Sequence, residues 1–148
     1  MYFSMTTQFC PLTGPILAAA CLLGAPGFAQ SLPDNLVRAE LLPGWTTDSG
    51  AQMAALRLTL APGWKTYWRA PGEAGIPPQF DWRASGNLAG VAYHWPRPQV
   101  FQINGLRTLA YRNELVLPIE FLPVDRGTAV KVSGTIDLGV CEIGRAHV

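Results

Sequence analysis

The chain has 148 residues, 49% of them hydrophobic and 14% charged, with a formal net charge of +1. That composition supplies one buried core and excludes a disordered chain. No run of Lys or Arg occurs anywhere, so neither a nucleic-acid partner nor a polybasic membrane contact is expected.

The first thirty residues stand apart. Residues 1–37 hold Asp34 as their one charged side chain, and "GPILAAACLLGAPGFAQ" is an apolar stretch followed by a small-x-small site ending at Ala29. The stretch is too short and too interrupted by Pro and Gly for a membrane span, so residues 1–29 are expected to be a signal peptide and the chain to be exported. The n-region has no basic residue, which makes Met5 a second candidate start. "LAAAC" resembles a lipoprotein box at Cys21, but the apolar run continues past it, which favours cleavage after Ala29. Cleavage removes Cys10 and Cys21 and leaves Cys141. Exported cysteines usually come in pairs, so a partner is expected either in another molecule or beyond residue 148.

From residue 36 onward the pattern is that of strands. Leu56, Leu58 and Leu60 alternate with Arg57 and Thr59, and Leu115, Leu117, Ile119 and Phe121 share one face of "ELVLPIEF". In "AVKVSGTIDLGV" the apolar residues Val130, Val132, Ile136, Leu138 and Val140 take the even positions. Such alternation predicts half-buried strands of antiparallel sheets. Turns are expected at "LPGW", "APGW", "APGEAGIPP", "WPRP" and "PVDRG", the last closing a hairpin between residues 114–122 and 129–140. Seven or eight short strands in roughly 110 residues predict an all-β, immunoglobulin-like antiparallel β-sandwich. Cys141 has an odd number, so its sulfur is expected to point away from the core.

Chemistry is harder to find. His94 and His147 lie far from any carboxylate or cysteine cluster, so no metal site, Ser/His/Asp arrangement or phosphate loop is expected. His94, in "YHWP", reads as a residue at a sheet surface. "GWKTYWRAPGEAGIPPQFDW" gathers Trp64, Tyr67, Trp68, Phe80 and Trp82. At least half of these should be core. Period two puts Trp64, Thr66 and Trp68 on one face and Lys65, Tyr67 and Arg69 on the other; one face is expected to be core and the other a partly exposed polar-aromatic strip that docks protein or carbohydrate.

The run "GWKTYWRAPGEAGIPPQFDW", then "HWPRPQVF…NGLRTLAYRNELVLPIE", then "LGVCE", resembles the N-terminal periplasmic domain of the DsbD-type thiol:disulfide interchange proteins. The resemblance extends from about residue 36 to 142 and implies an immunoglobulin-like sandwich over residues 30–142, incomplete at its C-terminus. It implies that Cys141 is the first cysteine of a redox pair whose second member follows within a few residues. "RPQVFQINGLRT" matches the loop that caps the pair, with Phe101 as the shielding aromatic and Gln102, Asn104 and Gly105 beside it. Gln102 and Asn104 are neutral where some relatives carry acids. Tyr67 matches an aromatic near the active site, Lys65 stands where relatives with two such tyrosines carry the other, and Tyr111 belongs to the same neighbourhood. The implied activity is protein-disulfide reduction by dithiol exchange without a cofactor. A membrane-embedded thiol transporter domain would be the electron donor and periplasmic disulfide-bearing proteins the acceptors. The competing expectations are a non-redox binding module using the Trp-rich surface and a structural sandwich domain of a larger envelope protein.

The ending "IGRAHV", residues 143–148, does not resemble the family's continuation. It reads as the translation of a common short-read sequencing adapter. The tail is therefore expected to be non-native, and the fragment to be inactive because the second cysteine is missing.

Overall fold

Period-two alternation produces two sheets packed face to face. The structure is a computed structural model that describes residues 3–9 and 36–143. The predicted h-region, the cleavage site, Cys21 and the last five residues of the tail lie outside the described residues. Ten strands are described: β1 (Phe3–Phe9), β2 (Val37–Thr46), β3 (Gln52–Leu60), β4 (Trp64–Gly72), β5 (Gln79–Asp81), β6 (Leu88–Tyr93), β7 (Gln99–Ile103), β8 (Leu106–Arg112), β9 (Glu114–Pro123) and β10 (Gly134–Glu142). Among the described residues no helix is long and apolar enough to cross a membrane.

One sheet has the order β2-β3-β9-β6 and is antiparallel throughout. The other runs β1-β10-β4-β8-β7, with β5 also paired to β10. Its pairs are antiparallel except for β1, which falls within the predicted leader and runs parallel to β10. The chain is thus an all-β, immunoglobulin-like sandwich.

The core lies between the sheets and is built from the alternating apolar positions. Leu56 and Leu58 of β3, Leu115, Leu117, Ile119 and Phe121 of β9, and Ile136 and Leu138 of β10 are all buried in it. Each such side chain stabilises the fold by about 1.5–3 kcal/mol relative to its exposed state. Trp82 meets Phe121 edge-on, at 5.3 Å between ring centroids, and its indole N–H donates to the Tyr93 hydroxyl at 2.7 Å. The bulky ring is therefore buried without orphaning its donor.

Two turn expectations are corrected. "PVDRG" does not close a hairpin, because β9 pairs with β3 and β6 whereas β10 pairs with β4, β5 and β1. Both strands bury their apolar faces in the same core, and they do so from opposite sides. The Asp125 carboxylate accepts from the Gly127 N–H and the Thr128 hydroxyl, and the Asn87 amide donates to the Asp125 and Thr128 carbonyls. These bonds close the connection locally and tie it to the start of β6, after which the chain crosses to the other sheet. "LPGW" is not a turn either: it continues β2 through a register shift between Pro43 and Thr46. A Cβ at Gly44 would stand 2.5 Å from the Met53 carbonyl oxygen, so glycine serves close strand approach there. "APGW" does turn. The Trp64 N–H donates to the Ala61 carbonyl at 3.1 Å, and Gly63 takes φ 82°, as a type II turn requires.

Tyr111 of β8 faces the core, with its hydroxyl donating to the Pro96 carbonyl at 2.7 Å and its ring stacked on Trp95. Burial pushes its phenol from 10.0 up to about 12, and burial raises Tyr93 as well. The folded chain therefore keeps a proton that the unfolded chain gives up. The associated stability is complete below the unfolded value of 10.0 and is lost as pH rises toward about 12. Tyr111→Phe is expected to cost about 1 kcal/mol at neutral pH and to shrink the alkaline loss. Urea unfolding at neutral pH and within that alkaline window measures both effects.

Candidate active site at the end of β10

Alternation along β10 sends Cys141 to the face opposite Leu138, away from the main core, yet it does not reach solvent. Cys141 forms no disulfide among the described residues and is only 3% exposed. A second, smaller cluster closes over it, made of Cys141, Tyr67 and Ala110 with Ile76 and Phe101 packed against them.

Strand pairing explains how distant residues meet there. Cys141 pairs with Lys65 on β4, and Lys65 pairs with Arg112 on β8. Directly opposed residues share a face with Cβ atoms about 4.5–5.5 Å apart, so Cys141, Lys65 and Arg112 project from one row across three strands. The next row holds Tyr67 of β4, Ala110 of β8 and Gln99 of β7. On the other face of β4, the buried Thr66 hydroxyl donates to the Gly139 carbonyl at 2.9 Å and fixes β4 against β10.

The cover comes from two pieces of chain. The first is the β7–β8 hairpin, whose turn residues Asn104 and Gly105 both have positive φ, 53° and 81°. That is the type I′ geometry favoured by Asn-Gly, and it matches the twist of the paired strands. Phe101, opposite Thr108 in this hairpin, packs onto the cluster. The second piece is the segment from Pro71 to Ile76. Its Glu73 exchanges backbone and side-chain bonds with Arg107, and its Ala74 carbonyl accepts from the Thr108 hydroxyl at 3.0 Å. Gly75, at φ 142°, lies against the Tyr67 ring so closely that a Cβ would come within 2.6 Å. Only glycine supplies both that φ and that approach.

Charge enters through Lys65, which is 2% exposed. Its Nζ stands 5.4 Å from the Phe101 ring centroid and 5.9 Å from that of Tyr67, so two aromatic faces receive the buried ammonium. The arrangement is a buried thiol paired in register with a buried lysine, with two pieces of chain packed over them. Among the described residues no group of three His, Cys, Asp or Glu side chains is placed to hold a metal ion.

The family described as the N-terminal domain of thiol:disulfide interchange protein DsbD matches residues 38–144. This chain belongs to that family. Its fold is similar to the crystal structure of the N-terminal periplasmic domain of ScsB from Proteus mirabilis, with a TM-score of 0.56 and 36% sequence identity. The match covers 76% of this chain and 43% of the ScsB chain, so the chain spans less than half of that protein's length. No curated protein matches.

Within this DsbD-type domain the structure brings Cys141, Lys65, Tyr67 and Phe101 together. Gln102, Asn104 and Gly105 sit at the exposed end of the hairpin, which is a strand pair with a tight turn rather than an open loop. Tyr111 is not at the thiol. It neighbours Thr66 in register and so faces the main core, on the opposite side of the sheet.

The Trp-rich strip is likewise corrected. Trp68, Phe80 and Trp82 pack in the main core, Trp64 is half-buried, and the Lys65–Tyr67 face lies beneath the cap. The exposed tryptophan is Trp45, at 68%, on the other sheet. His94 lies at the surface, with Nε2 3.2 Å from the Glu120 carboxylate.

Sequence reasoning missed Ile76, Gly75, Ala110 and Gly139. A Cβ on Gly139 would lie 2.8 Å from that of Ile76. Gly139 was legible in principle, because it stands two residues before Cys141 and therefore on the same face.

Proposed function

We propose that this domain relays reducing equivalents in the periplasm, with Cys141 as one of two redox thiols. The observation that carries the reading is a buried thiol at the end of β10, sealed by the aromatic ring of a separate hairpin. Such a cap keeps the thiol from unproductive oxidation, and lifting it only on a partner supplies selectivity.

The exchange runs through a thiolate that attacks one sulfur of a disulfide, forming a mixed disulfide and releasing the other sulfur as a thiolate. A second thiol of the same domain then resolves the mixed disulfide, so Cys141 without it performs half the cycle. On this reading residues 1–29 direct export and residues 143–148 replace the native continuation. A membrane thiol transporter domain donates electrons, and periplasmic disulfide-bearing proteins accept them. The burial of Tyr67, Phe80 and Trp82 supports the interchange reading over a non-redox binding module that would use the same aromatics.

The test uses the gene read past codon 142. With its second cysteine replaced by Ser, the extended protein is expected to accumulate a mixed disulfide with a partner, visible as a reductant-sensitive band on a non-reducing gel. Absence of any adduct, with thiols that do not cycle, defeats the relay.

A further inference from the structure

The geometry points to a charge preference at this site: we propose that Lys65, with Arg112 beside it, selects partner disulfides flanked by carboxylates. The inference rests on the interchange reading above and names the partner chemistry that reading leaves open.

An ammonium as buried as Lys65 is costly unless compensated. Two ring faces offset part of that cost. Among the described residues no carboxylate forms an ion pair with it. The acids of neighbouring elements are directed elsewhere. The Glu73 carboxylate accepts from the Arg107 N–H, and Glu142 alternates to the face of β10 opposite Cys141. Asp137 shares the face of Cys141 but lies four residues away, about 13 Å along the strand.

Arg112 is exposed at the end of the row. Lifting Phe101 with its hairpin thus uncovers an ammonium beside the sulfur and a guanidinium one strand further on. An incoming disulfide with negative flanks gains attraction from both charges, and one with positive flanks is repelled.

Three small disulfides report this preference: dianionic dithiobis(nitrobenzoate), neutral dithiodipyridine and dicationic cystamine. The protein is the full chain carrying Cys10→Ser and Cys21→Ser, so that Cys141 alone reacts. In each case the Cys141 thiolate, its proton given to water, forms a bond to one reagent sulfur. The reagent S–S bond breaks, its other sulfur leaves as a thiolate with the bonding pair, the reagent is reduced and Cys141 is oxidised.

The thiolate fraction and the cap opening enter all three rates alike and cancel in the ratio of anionic to cationic rates. Lys65→Met is expected to lower that ratio about tenfold, and Lys65→Arg to restore it to within about twofold. In the unsubstituted protein the ratio should fall as salt is added, which tests the proposal with no risk of misfolding. A ratio unaffected by Lys65→Met or by salt, with exchange intact for all three reagents, overturns this proposal and leaves the interchange reading standing. Failure of Cys141 to exchange with any of the three overturns both.

Discussion

Phe101→Ala is expected to raise the alkylation rate of Cys141 by about tenfold or more. The thiol is 3% exposed, and of the two residues packed against its buried cluster, Phe101 alone stands on the hairpin that crosses it. Truncating the ring removes cover and also removes one of the two faces that receive the Lys65 ammonium. Phe101 is only partly buried, so the loss of stability should stay near about 1–2 kcal/mol, and the fold survives. The measurement is the iodoacetamide rate on the chain carrying Cys10→Ser and Cys21→Ser, compared with the same protein retaining Phe101. An unchanged rate would show that the hairpin is not what guards the sulfur.

Phe121→Ala, by contrast, should remove about 3–5 kcal/mol of stability while leaving the site's own residues untouched. The ring is fully buried and sits edge-on to Trp82 at 5.3 Å, between β9 and the opposing sheet. Its backbone also holds β9 to β3 through Gln52 and to β6 through Val91, so no nearby chain end can collapse into the space. Small domains have about 5–15 kcal/mol in total, so a large part of the stability goes with this one ring. Leu122 is the internal control: it is next in the chain but 41% exposed, and Leu122→Ala should shift stability by about 0.5 kcal/mol or less. Urea midpoints of the two variants decide the matter. Similar values would mean that the sandwich core is not centred where β9 crosses it.

The contrast between these residues shows where information about the protein resides. That Phe121 is buried and Leu122 is not could be read directly from "ELVLPIEFL", because side chains of a strand alternate between faces whatever it pairs with. The same local rule placed Leu56, Leu58, Ile136 and Leu138 in the core, and the φ demand of Gly63 marked the turn before β4. It also turned Cys141 away from Leu138. What lay on that other side was not local. The face carrying Lys65 and Tyr67 looks half-polar and open along β4, and it becomes an interior because a hairpin some thirty-five residues later folds across it.

Tyr111 was misplaced for the same reason. Its register opposite Thr66 puts it on the core side, and pairing register between strands far apart in the chain is not encoded in either strand's own pattern. The connection after β9 is the clearest case. Alternation said that β9 and β10 each bury one face, and turn residues said that the chain bends between them. Neither says whether the next strand lies beside the last or across from it. That choice is made by which arrangement buries both apolar faces in one core, an energy that exists only once all the strands have assembled.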